Sequence, residues 1–107
     1  MSCEIEYEKR PTKLSSMKVV ITDDADADLQ EAFDYIAPRN EHAALALVSD
    51  LEAFWHGLLS KHPLIGRPYQ DNVRVSYKRG YRIYYRLGGE KIEILRVIHM
   101  SRDDYQI

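Results

Sequence analysis

Apolar residues recur along this chain with two different periods, and the change from one to the other divides it into a helical half and a strand half. Leu29, Ala32, Phe33 and Ile36 follow at steps of three and four, the spacing that lines one face of an α-helix. They predict a first amphipathic helix over residues 24–37. Thr22 or Asp23 offers its N-cap, and the aspartates clustered behind them suit the positive end of a helix dipole. Pro38-Arg39-Asn40 breaks the pattern, and Asn40 can cap the next helix. Ala44, Leu47, Val48, Leu51, Trp55, Leu58 and Leu59 then form one broad apolar face, predicting a second helix over residues 41–60. So short a break implies a helical hairpin with both stripes laid on one partner.

That partner is written in the second half. From Val73 to His99 the period falls to two, and Lys78-Arg79-Gly80 and Gly88-Gly89 cut the stretch into three runs rich in Val, Ile and Tyr. Such runs read as three consecutive antiparallel strands. In the first, Val73 and Val75 alternate with Arg74 and Ser76, which predicts one wet face. In the second, Tyr81, Ile83, Tyr85 and Leu87 alternate with Arg82, Tyr84 and Arg86. The third, Lys91 to His99, is apolar on both faces and predicts a central position. Lys18 to Thr22, a β-branched run, adds a strand ahead of the helices. Lys61 to Gln70, with two prolines and a glycine, reads as a loop. Residues 1–16 show no sustained periodicity and read as a loosely ordered N-terminal extension to a domain spanning 17–107. The expected order is β-α-α-β-β-β, an α+β fold with a helical hairpin packed on a small, mainly antiparallel sheet.

Composition narrows the setting. The chain has 107 residues, enough for one domain with a real core, and a single cysteine, Cys3, which cannot close an internal disulfide. A reduced, cytoplasmic setting is the expectation. No apolar run is long enough to cross a membrane. The net charge of −2 conceals an asymmetry, with −7 over residues 17–60 and +5 over residues 61–107. Either the molecule turns one side toward anions, or these charges are solvated and paired internally.

The candidate chemistry follows from the strands. Alternation places Arg82, Tyr84 and Arg86 on one face, and if Arg74 points the same way, three guanidinium groups and a phenol share a surface. Guanidinium forks match phosphate or carboxylate oxygens and stack on bases, which suits nucleic acid or an acidic peptide. The competing reading pairs these arginines with the helix aspartates. His42 and His56 lie on the helices and His62 in the loop. His99 ends the last strand beside Ser101, Arg102 and Asp103, either as a general acid or base or as a histidine hydrogen-bonded to its loop. No Cys or His spacing fits zinc, the serines lack a nucleophile elbow, and no glycine loop cradles phosphate. No metal or cofactor is expected.

Ala25-x-x-Asp28-Leu29, Tyr35-Ile36-Ala37, Ala43-Ala44, Pro63-x-x-Gly66-Arg67, Val73-Arg74, Tyr81-Arg82-Ile83-Tyr84-Tyr85-Arg86 and Val97-Ile98-His99-x-x-Arg102-Asp103 occur in that order. Together they resemble the RelE/ParE toxin superfamily of type II toxin–antitoxin systems, closest to the ParE (plasmid-stabilisation) branch, over about Met17 to Asp104. The resemblance implies a growth-arresting toxin neutralised by a cognate antitoxin, and it carries two activities. RelE-like members cut ribosome-bound messenger RNA with basic residues on the sheet. By resemblance Arg74, Arg82 and Arg102 fall at such positions, but Ser76 stands where a second basic residue is expected, and Tyr105 follows Arg102 too closely to match the family's C-terminal tyrosine. His99 alone remains as a base. ParE-like members inhibit DNA gyrase and block replication, and the mild acidity of the chain favours them over a polyanion-bound nuclease. A third possibility is an inactive toxin kept as an antitoxin-binding autoregulatory module. The expected target- or antitoxin-binding residues are Arg74, Val75, Tyr77, Arg82, Tyr84, Arg86 and Arg102. Under the nuclease alternative, Arg74, Arg82, His99 and Arg102 act. Direct contact with nucleic acid stays open.

Overall fold

The computed structural model describes residues 17–101. The N-terminal extension expected over residues 1–16, and Arg102 with the residues after it, lie outside that range. Strand β1 spans Lys18–Ile21 and helix α1 spans Asp23–Ile36. Thr22 joins them with one hydroxyl used twice. It accepts the N–H of Ala25 at 3.2 Å, capping the helix, and donates to the Ile94 carbonyl at 2.7 Å, so the cap also anchors α1 to the sheet. Asn40 caps helix α2, Glu41–Ala53, by accepting the Ala43 N–H at 3.0 Å.

Helix α2 continues without a break into six residues of π-helix, Phe54–Leu59. The wider turn shifts the phase of the apolar stripe. Leu58, seven residues after Leu51 and so on the same face of an unbroken α-helix, is 45% exposed, while Leu59 and Ser60 turn inward. Trp55 is fully buried in this segment, and its indole N–H has no protein acceptor among the described residues.

Four strands follow: β2 (Arg67–Gln70), β3 (Val73–Lys78), β4 (Tyr81–Gly88) and β5 (Lys91–His99). The sheet order is β1-β5-β4-β3-β2, with β1 parallel to β5 and every other pair antiparallel. The helical hairpin on a mainly antiparallel sheet is the expected α+β fold. The order differs in one element, because the segment read as loop contains β2. Pro68 suggested a loop, but an edge strand tolerates a residue with no N–H to donate, and β2 pairs irregularly, slipping register between Pro68 and Gln70. β5 lies inside the sheet, as its two apolar faces require. The β3–β4 turn carries positive φ at both Arg79 and Gly80, the type I′ geometry that matches strand twist.

The core fills the space between helices and sheet, where Leu29, Leu47, Leu51, Trp55 and Leu59 meet Ile83, Tyr85, Ile92, Ile94 and Val97. A second, smaller cluster of Val73, Val75, Tyr84 and Ile98 lies on the other face. The expectation of a wet face on β3 is thereby corrected. Its valines pack on the outer face, and Ser76, across from Ile83, is buried on the helix side.

β1 ends opposite Ile94, so the edge of β5 beyond it needs another partner. Asp28 of α1 supplies it. Its buried carboxylate accepts the Val97 N–H at 2.8 Å and both ends of the Arg96 guanidinium at 2.7 and 2.9 Å. Asp28→Ala strips a backbone donor and a largely buried arginine of their acceptor together, and is expected to lower stability by about 3 kcal/mol. Urea unfolding reads this as a lower midpoint at constant slope. An unchanged midpoint would show that the link contributes nothing net.

Candidate functional site

Whether Arg74 shares a face with Arg82 and Arg86 was a condition in the sequence, and the register does not meet it. Arg74 pairs with Tyr85, whereas Arg82 pairs with Tyr77 and Arg86 with Val73. Paired residues share a face, so Arg74 lies on the helix side and the other two lie outside. Its guanidinium is engaged there, donating from Nε to the Gly66 carbonyl at 2.9 Å and from Nη2 to the Leu64 carbonyl at 3.3 Å. Tyr85, fully buried, completes the clasp. Its hydroxyl donates to the Pro63 carbonyl at 2.7 Å and accepts the Gly66 N–H at 2.9 Å. Gly66 must be glycine for this approach, since a Cβ would sit 2.6 Å from the Tyr85 hydroxyl and 2.7 Å from the Val75 carbonyl oxygen. Burial raises the Tyr85 pKa above its ordinary value of 10.0, against the lowering influences of the Gly66 hydrogen bond and the Arg74 charge.

The outer face holds the remaining strand candidates. Val75, Tyr77, Arg82 and Tyr84 line a groove of about 360 Å³ together with Arg67, Pro68 and Tyr69 of β2. Tyr69 meets Tyr84 edge to face at 5.1 Å between ring centroids, and Arg67 donates to the Tyr77 hydroxyl at 3.4 Å. Arg86 lies further along β4 on the same face and is paired with Glu93 at 3.1 Å. Arg67 and Tyr69 were missed by sequence reasoning. Their alternation around Pro68 was the available signal, hidden by reading the segment as a loop.

His99 lies across the sheet from this groove. It pairs with Tyr81, whose ring packs on the core side, and the two rings meet edge to face at 5.0 Å. Both line a cavity of about 520 Å³ below the helical hairpin, together with Glu31, Tyr35, Leu47 and Arg79. The Ser101 N–H approaches His99 Nδ1 at 3.1 Å and the Ser101 hydroxyl lies 2.8 Å away. A backbone N–H only donates, so Nδ1 is the acceptor in that contact. Arg79 ties the β3–β4 turn to α2 through Asp50 at 2.6 Å. Among the described residues no group of three His, Cys, Asp or Glu side chains is placed to hold a metal.

The nuclease set is therefore divided. Arg82 faces outward, while His99 and Arg74 lie on the helix side. Their partners Tyr81 and Tyr85 sit four residues apart on β4, about 13 Å along the strand. Arg102 lies outside the described residues.

With this arrangement in view, the sequence and fold have relatives. Residues 19–104 match the family described as ParE toxin of type II toxin-antitoxin system, parDE. The chain belongs to the ParE toxin family. A chain of the chromosomal ParDE toxin–antitoxin system of P. aeruginosa is 25% identical, with a TM-score of 0.63, over 79% of this chain and 97% of its own. A chain of the RelBE2 toxin–antitoxin complex of Mycobacterium tuberculosis is 27% identical, with a TM-score of 0.58, over 78% of this chain and 98% of its own. No curated protein matches. The ParE-family fold thus carries two separate surfaces here, an outer arginine–tyrosine groove and an inner cavity at His99. No helix among the described residues is long and apolar enough to cross a membrane.

The clasp makes a pH-resolved prediction. Tyr85→Phe removes one donor and leaves the Gly66 N–H without its acceptor, a loss of about 1–2 kcal/mol at neutral pH. As pH rises past 10.0, an unfolded tyrosine ionises while the buried one keeps its proton. Wild-type stability then falls, and the phenylalanine variant lacks this contribution. Urea titrations at pH 7 and above pH 10 should show the gap narrowing. A gap that widens with pH would contradict the raised pKa.

Proposed function

We propose that this ParE-family toxin is neutralised by a cognate antitoxin and arrests growth by inhibiting DNA gyrase, without cutting nucleic acid itself. The separation of Arg82 from His99 and Arg74 carries this reading. Cleavage at a ribose needs a base for the 2′-OH and charge stabilisation of the phosphorane, both within reach of one phosphate. Here the sheet lies between the candidate base and the outward arginine. The β3 positions that share Arg82's face hold Val73, Val75 and Tyr77, with no carboxylate or imidazole among them. A surface of this kind can dock on a protein without chemistry of its own.

The antitoxin assignment has separate support. The two solved relatives come from ParDE and RelBE2 toxin–antitoxin systems. The chain also exposes Tyr35 at 68%, Leu45 at 54% and Leu64 at 65%, apolar surface of the sort that a segment folding on binding covers.

Two assays run side by side test the target. Purified toxin is expected to inhibit gyrase supercoiling or to trap cleaved DNA, and to leave ribosome-bound message intact. Rapid cleavage of message in the ribosomal A site, abolished by Arg82→Ala, would replace gyrase by the ribosome. Absence of growth arrest on expression without antitoxin would sink both toxic readings and favour an inactive, autoregulatory module. His99→Ala is expected to keep toxicity, because the gyrase reading asks for no proton transfer.

A further inference from the structure

Gyrase inhibition leaves the cavity below the helical hairpin without a task. About 520 Å³ lies open between α1, α2 and the inner face of the sheet, a volume in the range of small-molecule sites and far beyond a packing defect. The helices line it with short side chains, Ala32 on α1 and Ala43 on α2. Ala32, Leu47 and Val97 are buried and give it an apolar floor. Tyr81 and His99 form an aromatic corner at one wall, their planes 89° apart. Opposite charges enter from opposite layers, Glu31 from α1 and Arg79 from the β3–β4 turn. Asp28 also reaches the cavity, but both of its oxygens are taken by Arg96 and the Val97 N–H. Arg79 is anchored through Nη1 to Asp50, which holds the guanidinium in place while its Nε and Nη2 edge keeps donors for a ligand. Glu31 is exposed, and a carboxylate accepts several donors at once.

We propose that this cavity binds a small zwitterion with an aromatic body, the chemistry of a free aromatic amino acid. The ammonium group meets Glu31, the carboxylate meets Arg79, and the ring lies on the apolar floor against Tyr81 and His99. Rings already meet edge to face at that wall, and a further ring extends the arrangement. An aromatic acid without an ammonium group would bring a like charge toward Glu31, and an arylamine without a carboxylate would do the same to Arg79. A wholly apolar ligand would desolvate both charges and return no hydrogen bond. Fixed polar groups at two ends of an apolar chamber orient one ligand and reject those that lack either end. The site lies across the sheet from the outer groove and does not depend on which target the toxin disables.

The test is isothermal titration calorimetry of the purified full chain with L-phenylalanine, N-acetyl-L-phenylalanine, phenethylamine and glycine. L-phenylalanine is expected to bind, each analogue lacking one charge to bind about tenfold more weakly, and glycine, which lacks the ring, to give no heat. Glu31→Gln should weaken L-phenylalanine about tenfold and leave the N-acetyl analogue unchanged. Arg79→Gln should weaken L-phenylalanine and its N-acetyl analogue but not phenethylamine, and Arg79→Lys should restore part of the loss. Both side chains are exposed, so an unchanged urea midpoint separates lost binding from lost folding. Ala43→Leu, which fills the chamber, should abolish binding, and Glu52→Gln, on the exposed side of α2, should bind as wild type. In proton NMR the His99 ring signals, assigned by their loss in His99→Gln, should move with L-phenylalanine while those of His62 stay. The proposal fails if millimolar L-phenylalanine moves no His99 signal, if either singly charged analogue binds as tightly, or if the Glu31, Arg79 and Ala43 variants bind normally.

Discussion

The buried hydroxyl of Tyr85 is the point on which the functional half of this molecule turns. A phenol in the core must find partners or lose the free energy of desolvation. Tyr85 finds them in the backbone of Pro63 and Gly66, two residues of the segment that leads into β2. That requirement fixes where the chain leaves the helical hairpin and where it re-enters the sheet. Arg74 adds its guanidinium to the same segment, at the carbonyls of Leu64 and Gly66. Once Gly66 is held, Arg67 and Tyr69 fall beside β3, and the outer groove acquires its far wall. A side chain facing the core thus shapes a surface on the opposite side of the sheet.

A comparable logic governs the join between layers. Thr22 and Asp28, less than two helical turns apart on the chain, both direct polar atoms to β5. The first caps its own helix while bonding the Ile94 carbonyl, and the second satisfies the Val97 N–H and Arg96. These contacts set the angle of α1 over the sheet more sharply than apolar packing does, because hydrogen bonds are directional. The π-helix of Phe54–Leu59 has the complementary role of rotating the end of α2, so that Leu59 reaches the core while Leu58 is left exposed.

The fold was legible because period is a local property. The stripes of both helices and the alternation of β4 could be read directly, as could the turn at Arg79-Gly80, while the turn expected at Gly88-Gly89 falls one residue later, at Gly89-Glu90. The site was less legible because a face is not local. Arg74 and Arg82 look alike in sequence, and only the pairing Arg74–Tyr85 against Tyr77–Arg82 reveals that they point apart. Val73 and Val75 suggested the core, yet they pack on the outer cluster with Tyr84. Strand β2 went unread since Pro68 signals a break everywhere except at an edge. Arg82 and Tyr84 did fall on one face as expected, because their shared side needed nothing beyond alternation along a single strand.

Pro68 has a consequence for the company this protein keeps. Among the described residues β2 is the last strand on its side of the sheet, an open row where another chain could add itself and propagate. A proline within a four-residue strand removes one of the few donors such an invader would need, and the slipped register after it bends the row out of line. Bare sheet edges find one another most readily when nothing covers them. The same short, irregular strand that walls the groove works against edge-to-edge pairing of one sheet with another.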